Sequence, residues 1–537
     1  MTSYRNIQHQ SGNSANEETK VEKQNEIKIQ KSLHENLKNL KNILCDSQDL
    51  NVHSIRFGSE SQFSAAIVFF DGMIDNPTLT DGILRPLMLW GMGKKEDPDD
   101  TDLLNILEQE VVCASTVTKE EALSELAAGC LCGETVLLVD GCMGGLVINT
   151  KGWEKRSVTE PASETVVRGP REGFTENLRT NTSLIRRKIR NGQLKLEQLK
   201  VGEKTQTTVC LMYLEGVANP KIVEEVQYRI SQLDVESILE SGYIEEYIED
   251  APFSPFSTVD YSEKPDVVAA RILEGRIAIV VDGTPFVLTV PMLFIESFQT
   301  AEDYYVRPMY ASLLRIIRFI AYFITVFAPA VYIALNSFHH ELIPTTLLFT
   351  FAKAREGTPF PVFVEALIMI FAFEILREAG VRLPRPVGQA ISIVGALIMG
   401  DAAVSAGIVG APMVITIAIT AVAGFLVPSQ TDSGSMLRVV MMIPAAVLGL
   451  YGVAFGFLGM LVHLASLESF GVPYFDSFSN TRDMQDTLIR APLWAMTRRP
   501  KGIARGDMTR GHFFIPPLRP FASDKHQEDD AQEGGES

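Results

Sequence analysis

Glu365 and Asp401 are carboxylates set inside long apolar runs of the chain. At mid-bilayer each would cost roughly 2.5–3.5 kcal/mol by insertion scales, so both are expected to face a bundle interior, a polar cavity or a partner subunit. Around Asp401, the residues Gly388, Ser392, Gly395, Met399, Ala402 and Ala406 recur at alternating spacings of four and three, which lays them along one narrow helix face. Small, weakly polar side chains with one larger apolar residue are what a narrow ion pathway with a hydrophobic constriction requires. Plain helix packing in lipid uses the same residue types. Ser392, Gly395, Met399 and Ala402 are therefore candidate pore-lining residues, and Glu365 and Asp401 candidate functional acids. Glu374 stands one helical step from Arg377, where an interfacial pair accounts for it.

A second charged group lies far from these acids, in the run Arg168 to Arg179 (RGPREGFTENLR) and the helix after it, which carries Arg186, Arg187, Lys188 and Arg190. Gly169-Pro170 forces a turn, and Thr175 is expected to cap the helix. Arg168, Arg171, Glu172, Arg179, Arg186 and Arg187 read as a solvated basic face that pairs with a neighbouring lobe or another copy of the chain. An anion or acidic-partner site is the other reading.

The six cysteines, all in the front half, show no C-x-x-C pair and read as small buried thiols in a reducing compartment, although Cys113, Cys130, Cys132 and Cys142 could in principle hold a metal. There is no P-loop, no G-x-S-x-G, no H-E-x-x-H and no glycine fingerprint after a strand, so neither an enzyme nor a cofactor is expected. A net charge of −18 with no basic stripe argues against nucleic acid as a partner.

What must position these residues? Residues 1–33 and 523–537 are too polar to offset the entropy of ordering them, and are expected to be disordered. Between the leading tail and the apolar runs, β-type and helical patterns alternate and repeat. Ser64 to Gly72 (SAAIVFFDG) and Thr208 to Gly216 (TVCLMYLEG) are buried strands ending in an acidic-Gly turn at an offset of 144, which Gly58 and Gly202 share. Ala127 to Gly141 (AAGCLCGETVLLVDG) aligns with Ala269 to Gly283 (AARILEGRIAIVVDG) at an offset of 142. The pattern predicts two duplicated α/β lobes, 34–160 and 161–308 with an interlobe helix at 175–190. Each has a leading helix, two strands, a helical middle and a hairpin turning on Asp140-Gly141 or Asp282-Gly283.

The remainder reads as an all-α transmembrane bundle, 309–470, followed by a basic tail, 471–522. Expected spans are Phe319 to Leu335, entered after Arg315 and Arg318 snorkelling to the interface; Phe360 to Ile375; Val387 to Val409; Met413 to Val427; and Val439 to Leu464. Leu342 to Ala352 is ambiguous. No signal peptide opens the chain, and Arg498, Arg499, Lys501, Arg505 and Arg510 outnumber Asp507 after the last span, so both ends are expected in the cytoplasm. Even crossing numbers follow: six if the short segment spans, four if one middle segment is re-entrant. Gly449, Gly452, Gly456 and Gly459 form a stripe that reads as helix packing within one subunit.

Five strings carry a resemblance: RGPREGFTEN at Arg168 to Asn177, GRIAIVVDGTPFVLTVP at Gly275 to Pro291, ESFQTAEDYY at Glu296 to Tyr305, PFPVFVEALIM at Pro359 to Met369 and RLPRPVGQA at Arg382 to Ala390. With them the sequence resembles the A subunits of GerA-type nutrient germinant receptors of bacterial spores, from residue 34 to about residue 520. The resemblance implies a multi-pass protein of the spore inner membrane that works with a transporter-like B subunit, which recognises the nutrient, and a lipoprotein C subunit. It also implies homo-oligomers, pentamers in the family's pattern, that open as a cation channel to start germination. The SpoVAF-type accessory channel shares the architecture, and a non-conducting relay subunit is a further alternative. A secondary transporter would place inverted repeats in the membrane half, whereas the duplication lies in the front half.

Overall fold

The computed structural model describes residues 28–58, 61–90, 100–152, 161, 164–382, 400–476, 485–500, 502–506 and 508–510. The duplication is visible in its topology. In the first lobe helix α1 (Leu33–Ile43) leads into β1 (Leu50–Phe57) and β2 (Phe63–Phe70). A helical stretch and β3 (Val117–Glu120) follow, then α2 (Leu123–Leu131) and the hairpin β4 (Thr135–Val139) and β5 (Gly145–Ile148). The second lobe repeats the order: α3 (Leu178–Lys188), β6 (Leu194–Val201), β7 (Thr207–Leu214), α4 (Pro220–Ser231), α5 (Ser241–Ile248), β8 (Asp260–Ser262), α6 (Pro265–Leu273), β9 (Ile277–Val281) and β10 (Val287–Val290). Both sheets have the same strand order, β1-β2-β4-β5-β3 and β6-β7-β9-β10-β8.

Details recur with the topology. Four pairs of glycines, 58/202, 72/216, 133/275 and 141/283, all take positive φ at matching turns, where a side chain would be strained. Asp140 Oδ1 accepts from Leu33 N at 2.9 Å and Asp282 Oδ1 from Leu178 N at 3.3 Å, so each hairpin turn caps the leading helix of its own lobe. Asn36 and Asn181, both buried, each clasp the backbone six residues upstream through both amide atoms. Asn177, not Thr175, caps α3, because its side chain accepts from Thr180 N; Thr175 instead accepts from Asn177 N.

The central strands TVLLV and IAIVV are buried along their whole length, as β-branched runs covered on both faces should be. One face of the first sheet packs on α1 and α2 through Leu40, Leu126 and Val136, and the other on the lobe's own helical stretch through Ile83, Leu87 and Leu107. The second sheet packs one face on α3 and α6. Its other face opens into a core that runs on without a break through Phe294, Tyr322, Met442 and Leu464 of the helical region.

That region contains α7 (Pro308–Ser337), α8 (Thr345–Arg355), α9 (Val362–Arg382), helical residues at 400–405, α10 (Ala411–Gly424), α11 (Thr431–Leu448) and α12 (Leu450–Ser466). Among the described residues two helical stretches, Pro308–Ser337 and Pro428–Leu448, are long and apolar enough to cross a membrane, and Ala411–Gly424 and Leu450–Ser466 are apolar but shorter. The single span expected over Val439 to Leu464 is two helices: Gly449, at φ 62, reverses the chain. A Cβ on Gly452 would lie 2.0 Å from the Pro444 carbonyl oxygen and one on Gly456 2.6 Å from Met441 Sδ, so the glycines close an antiparallel hairpin. The glycine stripe is thus packing inside one chain for those two residues.

Described parts of the basic tail pack against the second lobe. β11 (Glu468–Ser469) and β12 (Val472–Pro473) pair next to the second lobe, where Ser469 Oγ donates to the Thr258 carbonyl and accepts from Met292 N. Ile503 and Ala504 are fully buried, and Ala504 bridges Ala218.

Candidate functional site: the junction of lobe and helices

The turns after β10 build the junction. Residues 294–298 and 301–304 form two 3-10 turns, the second closed by a capping box in which Thr300 and Asp303 satisfy each other's backbone N–H groups. That cap buries Asp303 completely and aims its carboxylate at α7. Arg315 Nε donates to Asp303 Oδ2 at 3.0 Å and Arg318 NH1 at 2.8 Å, and Arg318 also reaches the Phe298 carbonyl at 3.1 Å. Arg315 NH1 donates to Asp486 Oδ1 and to the Thr487 carbonyl, both at 2.8 Å. Tyr304 OH donates to Asp486 Oδ2 at 2.8 Å, and burial together with that carboxylate pushes the phenol well above its usual value. Arg315 is buried and paired, so the snorkelling expected from the sequence is corrected: a protein carboxylate, not interfacial water, neutralises it.

Beneath this lies a second ionic layer. Arg276 makes a two-pronged pair with Glu296, Arg271 pairs with Asp260, and Arg510 reaches Glu274 at 3.4 Å. Burial raises the Glu274 carboxyl and lowers Arg271, each partly offset by the opposite charges around it. Further bonds tie other helices to the same lobe: Gln430 Nε2 donates to Ser297 Oγ at 2.7 Å, and His463 Nε2 lies 2.9 Å from Ser254 Oγ. An aromatic cluster of Phe294, Phe298, Phe319 and Tyr322 fills the space between. The arrangement makes the second lobe and the feet of α7, α11 and α12 one mechanical body, because a buried pair that loses a partner costs about 3–5 kcal/mol.

Among the described residues the first lobe joins this body around Ser47–Asp49, where Leu196 N donates to Ser47 Oγ at 3.0 Å and Gln48 N to the Leu196 carbonyl at 3.2 Å, and Arg186 supplies the buried charge. Arg186 is 1% exposed and lies 4.1 Å over the Phe70 ring. Its Nε donates to Asp49 Oδ2 at 2.7 Å, and its NH2 to Asp49 Oδ1 at 2.8 Å and Ser47 Oγ at 3.1 Å. Arg179 pairs with Asp71 at 2.7 Å across the same boundary. Arg187 and Lys188 hold Glu172, an internal pairing of the second lobe, while Arg168 and Arg171 are exposed and the Arg168 N–H donates to Glu302. The basic face is thus divided: Arg186 is a buried interlobe link and not a solvated charge.

Ser392, Gly395 and Met399 lie outside the described residues. Asp401 and Ala402 stand exposed on the helix at 400–405. Glu365 is fully buried and paired with Arg355 at 3.2 Å, with Thr358 Oγ1 at 3.2 Å and Gly410 N at 3.3 Å donating to it. It therefore clamps the end of α8 to the start of α9 and the turn before α10. Glu374 pairs with Arg377 at 2.7 Å and also with Arg438 of α11 at 3.4 Å. Cys130, Cys142 and Cys210 are buried and Cys113 is exposed, and burial pushes the Cys130 and Cys210 thiols up to about 12.

Asp303, Glu296, Arg276 and Asp486 were not singled out by sequence pattern, and Arg315 was read only as an interfacial charge. The available signal was the string ESFQTAEDYY, in which Glu296 and Asp303 are buried and paired while Glu302 is half-buried and accepts from the Arg168 N–H.

The chain matches known proteins over most of its length. Residues 38–502 match the family model described as Bacillus/Clostridium GerA spore germination protein. Spore germination protein KA of Bacillus subtilis strain 168 is 43% identical over 91% of this chain and 90% of its own length. The membrane protein YfkQ of the same strain is 42% identical over 90% of this chain and 93% of its own. Spore germination protein B1, also of that strain, is 38% identical over 88% and 98%. Among solved structures, the N-terminal domain of the A subunit of the Bacillus megaterium spore germinant receptor GerK3 is 36% identical, with a TM-score of 0.41, and covers 50% of this chain and 97% of that one.

Proposed function

The chain belongs to the GerA spore germination family, and from that premise we propose that it is an A-type subunit of a spore germinant receptor whose helical region crosses the inner membrane and, in an oligomer, conducts cations. The observation that carries the reading is the buried junction at Asp303, which ties the second lobe to the helices that a signal would have to move. Its partners would be copies of itself, a transporter-like B subunit and a lipoprotein C subunit.

The helix directions support a multi-pass arrangement. α7 leaves the lobes. α9 runs back toward them, since Glu365 lies near Gly410 at its head and Arg377 bonds Ser435 near its foot. α10 also runs toward the lobes, with Gly424 packed near Thr325, and α11 and α12 make a further pair of passages. Between α9 and α10 the sequence places the expected span Val387 to Val409. We propose six passages, with α8 at the far end and not crossing.

Asp401 and Ala402, exposed in a single copy, favour a surface completed by other copies around a pathway. The test is cation flux from liposomes holding the full chain. Met399→Ala is expected to leak and Met399→Trp to block, and no current under either substitution would end the conduction proposal. A relay role without conduction draws on a different observation: the interior acids Glu365 and Glu374 are already paired within one copy. It would be favoured if Asp401→Asn lowered recovery of the complex in pull-downs and left flux unchanged.

A further inference from the structure

Beyond α12 the chain returns along the first turns of α7. Asp486 holds Arg315, the Arg490 N–H donates to Ser312 Oγ at 2.9 Å, and Arg490 NH1 donates to the Val306 carbonyl at 3.1 Å. These bonds fix the returning segment at the level where the polar first turns of α7 give way to its uncharged run from Phe319. At that level large apolar side chains point outward from both pieces of chain. Ile489 is 66%, Leu493 54% and Trp494 40% exposed on the segment, and Met309 is 88% and Leu313 52% exposed on α7. Isolated exposed apolar residues are ordinary, but a set gathered on two adjoining pieces of chain marks an interaction surface.

Charge is arranged beside this collar. Arg498 is exposed and, among the described residues, pairs with no carboxylate. With Arg499 and Arg510 it lines a cavity of about 560 Å³, whose two acids among the described residues are already engaged: Asp486 by Arg315 and Glu274 by Arg510. The described lining carries one more cation than acid. A tryptophan with neighbouring aliphatic residues, followed by an uncompensated arginine at the foot of a long apolar helix, has the amphipathic chemistry of the boundary between lipid headgroups and acyl chains.

We propose that residues 489–498 form an interfacial anchor for an anionic lipid surface. Ile489, Leu493 and Trp494 enter the headgroup boundary, and Arg498 meets lipid phosphate. The anchor rests on the membrane reading above. It adds that the returning segment, which holds Asp486 against Arg315, is itself seated on the bilayer. Loss of one such arginine weakens attraction to an anionic surface about fivefold.

The test uses the full chain in vesicles of phosphatidylcholine, alone or mixed with phosphatidylglycerol, with bromine on the lipid acyl chains near the headgroup or near the chain end. Fluorescence quenching is compared between the native protein and Trp494→Phe, and Phe455→Trp reports the middle of α12, where Phe455 is 66% exposed. The anchor predicts quenching by shallow bromines that disappears in Trp494→Phe. It also predicts stronger quenching with phosphatidylglycerol, an increment lost in Arg498→Gln. If Phe455→Trp is quenched by deep bromines while Trp494 contributes nothing, the anchor is wrong and the membrane reading stands. If neither is quenched, the membrane reading falls and the anchor with it. Equal quenching with and without phosphatidylglycerol overturns the anionic part. A Trp494 shielded from both brominated lipid and aqueous iodide marks a protein contact in place of lipid, which also overturns the anchor.

Discussion

The two lobes share one topology but bury different chemistry, and the difference falls at a few aligned positions. Arg271, Glu274 and Arg276 of the second lobe correspond, at the offset of 142, to Gly129, Cys132 and Glu134 of the first. In the second lobe these residues form the ionic layer under the helices. In the first, Glu134 makes a partly exposed pair with Lys151 at 2.7 Å, and the outer sheet face is covered by the lobe's own helices. A duplicated scaffold has thus kept its capping and turn chemistry in both copies and changed its outward face in one. The second copy has become the plate on which the helical region stands, and the first is attached to its edge around Ser47–Asp49, with Arg186 as the buried charge.

Substitutions can break this comparison in graded ways. Asp303→Asn should have the largest effect, since it strands two arginines against a neutral amide; a loss of about 3–5 kcal/mol is expected, seen as a steep fall in melting temperature of the detergent-solubilised chain. Arg186→Met should cost somewhat less, about 3 kcal/mol, because Asp49 is 8% exposed and retains the Ser47 hydroxyl at 2.6 Å. The informative readout is the shape of the melt: the first lobe should separate as an early transition while the second lobe and helices hold together. A single lowered transition would mean that the lobes are not independent bodies.

Gly452→Ala tests the helical hairpin. Its new Cβ would sit 2.0 Å from a backbone oxygen, so α12 must shift away from α11 at a cost of about 1–3 kcal/mol. Gly459→Ala, with nothing within 4 Å, should be nearly neutral in the same assay. The capping aspartates sharpen the comparison: Asp140→Ala and Asp282→Ala should each cost about 1 kcal/mol, and similar losses are expected because the two caps have the same geometry.

A further effect concerns pH. Burial pushes the Glu245 carboxyl up to about 7 from 4.5, opposed by a hydrogen bond from Ser257. A carboxyl raised in the folded state favours folding while protonated, so this contribution is fully present below 4.5 and is lost as pH rises toward 7. Glu245→Gln should flatten that part of the stability profile of the second lobe, and an unchanged slope would remove Glu245 from the account.

Much of the fold could be read beforehand because it repeats. Strand runs ending in Asp-Gly or Glu-Gly at nearly one offset reveal two lobes, since β-branched runs and positive-φ glycines are local requirements visible residue by residue. The break at Gly449 could not be read from hydropathy, because Val439 to Leu464 stays apolar through the turn and only the close approach of Pro444 to Gly452 marks it. The junction was hidden for another reason. Asp303, Arg315 and Asp486 span 183 residues of sequence, and each alone resembles a surface charge. Only tertiary packing shows that they are buried together. Arg186 was misplaced on a solvated face by the same logic, since a guanidinium buried over Phe70 is indistinguishable by spacing from its exposed neighbours.

The central claim is that signals reach the helices through the second lobe. It is tested most directly by cation flux from vesicles carrying equal amounts of inserted Asp303→Asn and Arg186→Met protein. The account predicts that Asp303→Asn changes flux, either as a leak or as a failure to open, while Arg186→Met conducts as the native chain does. Altered flux in Arg186→Met with native flux in Asp303→Asn would contradict it.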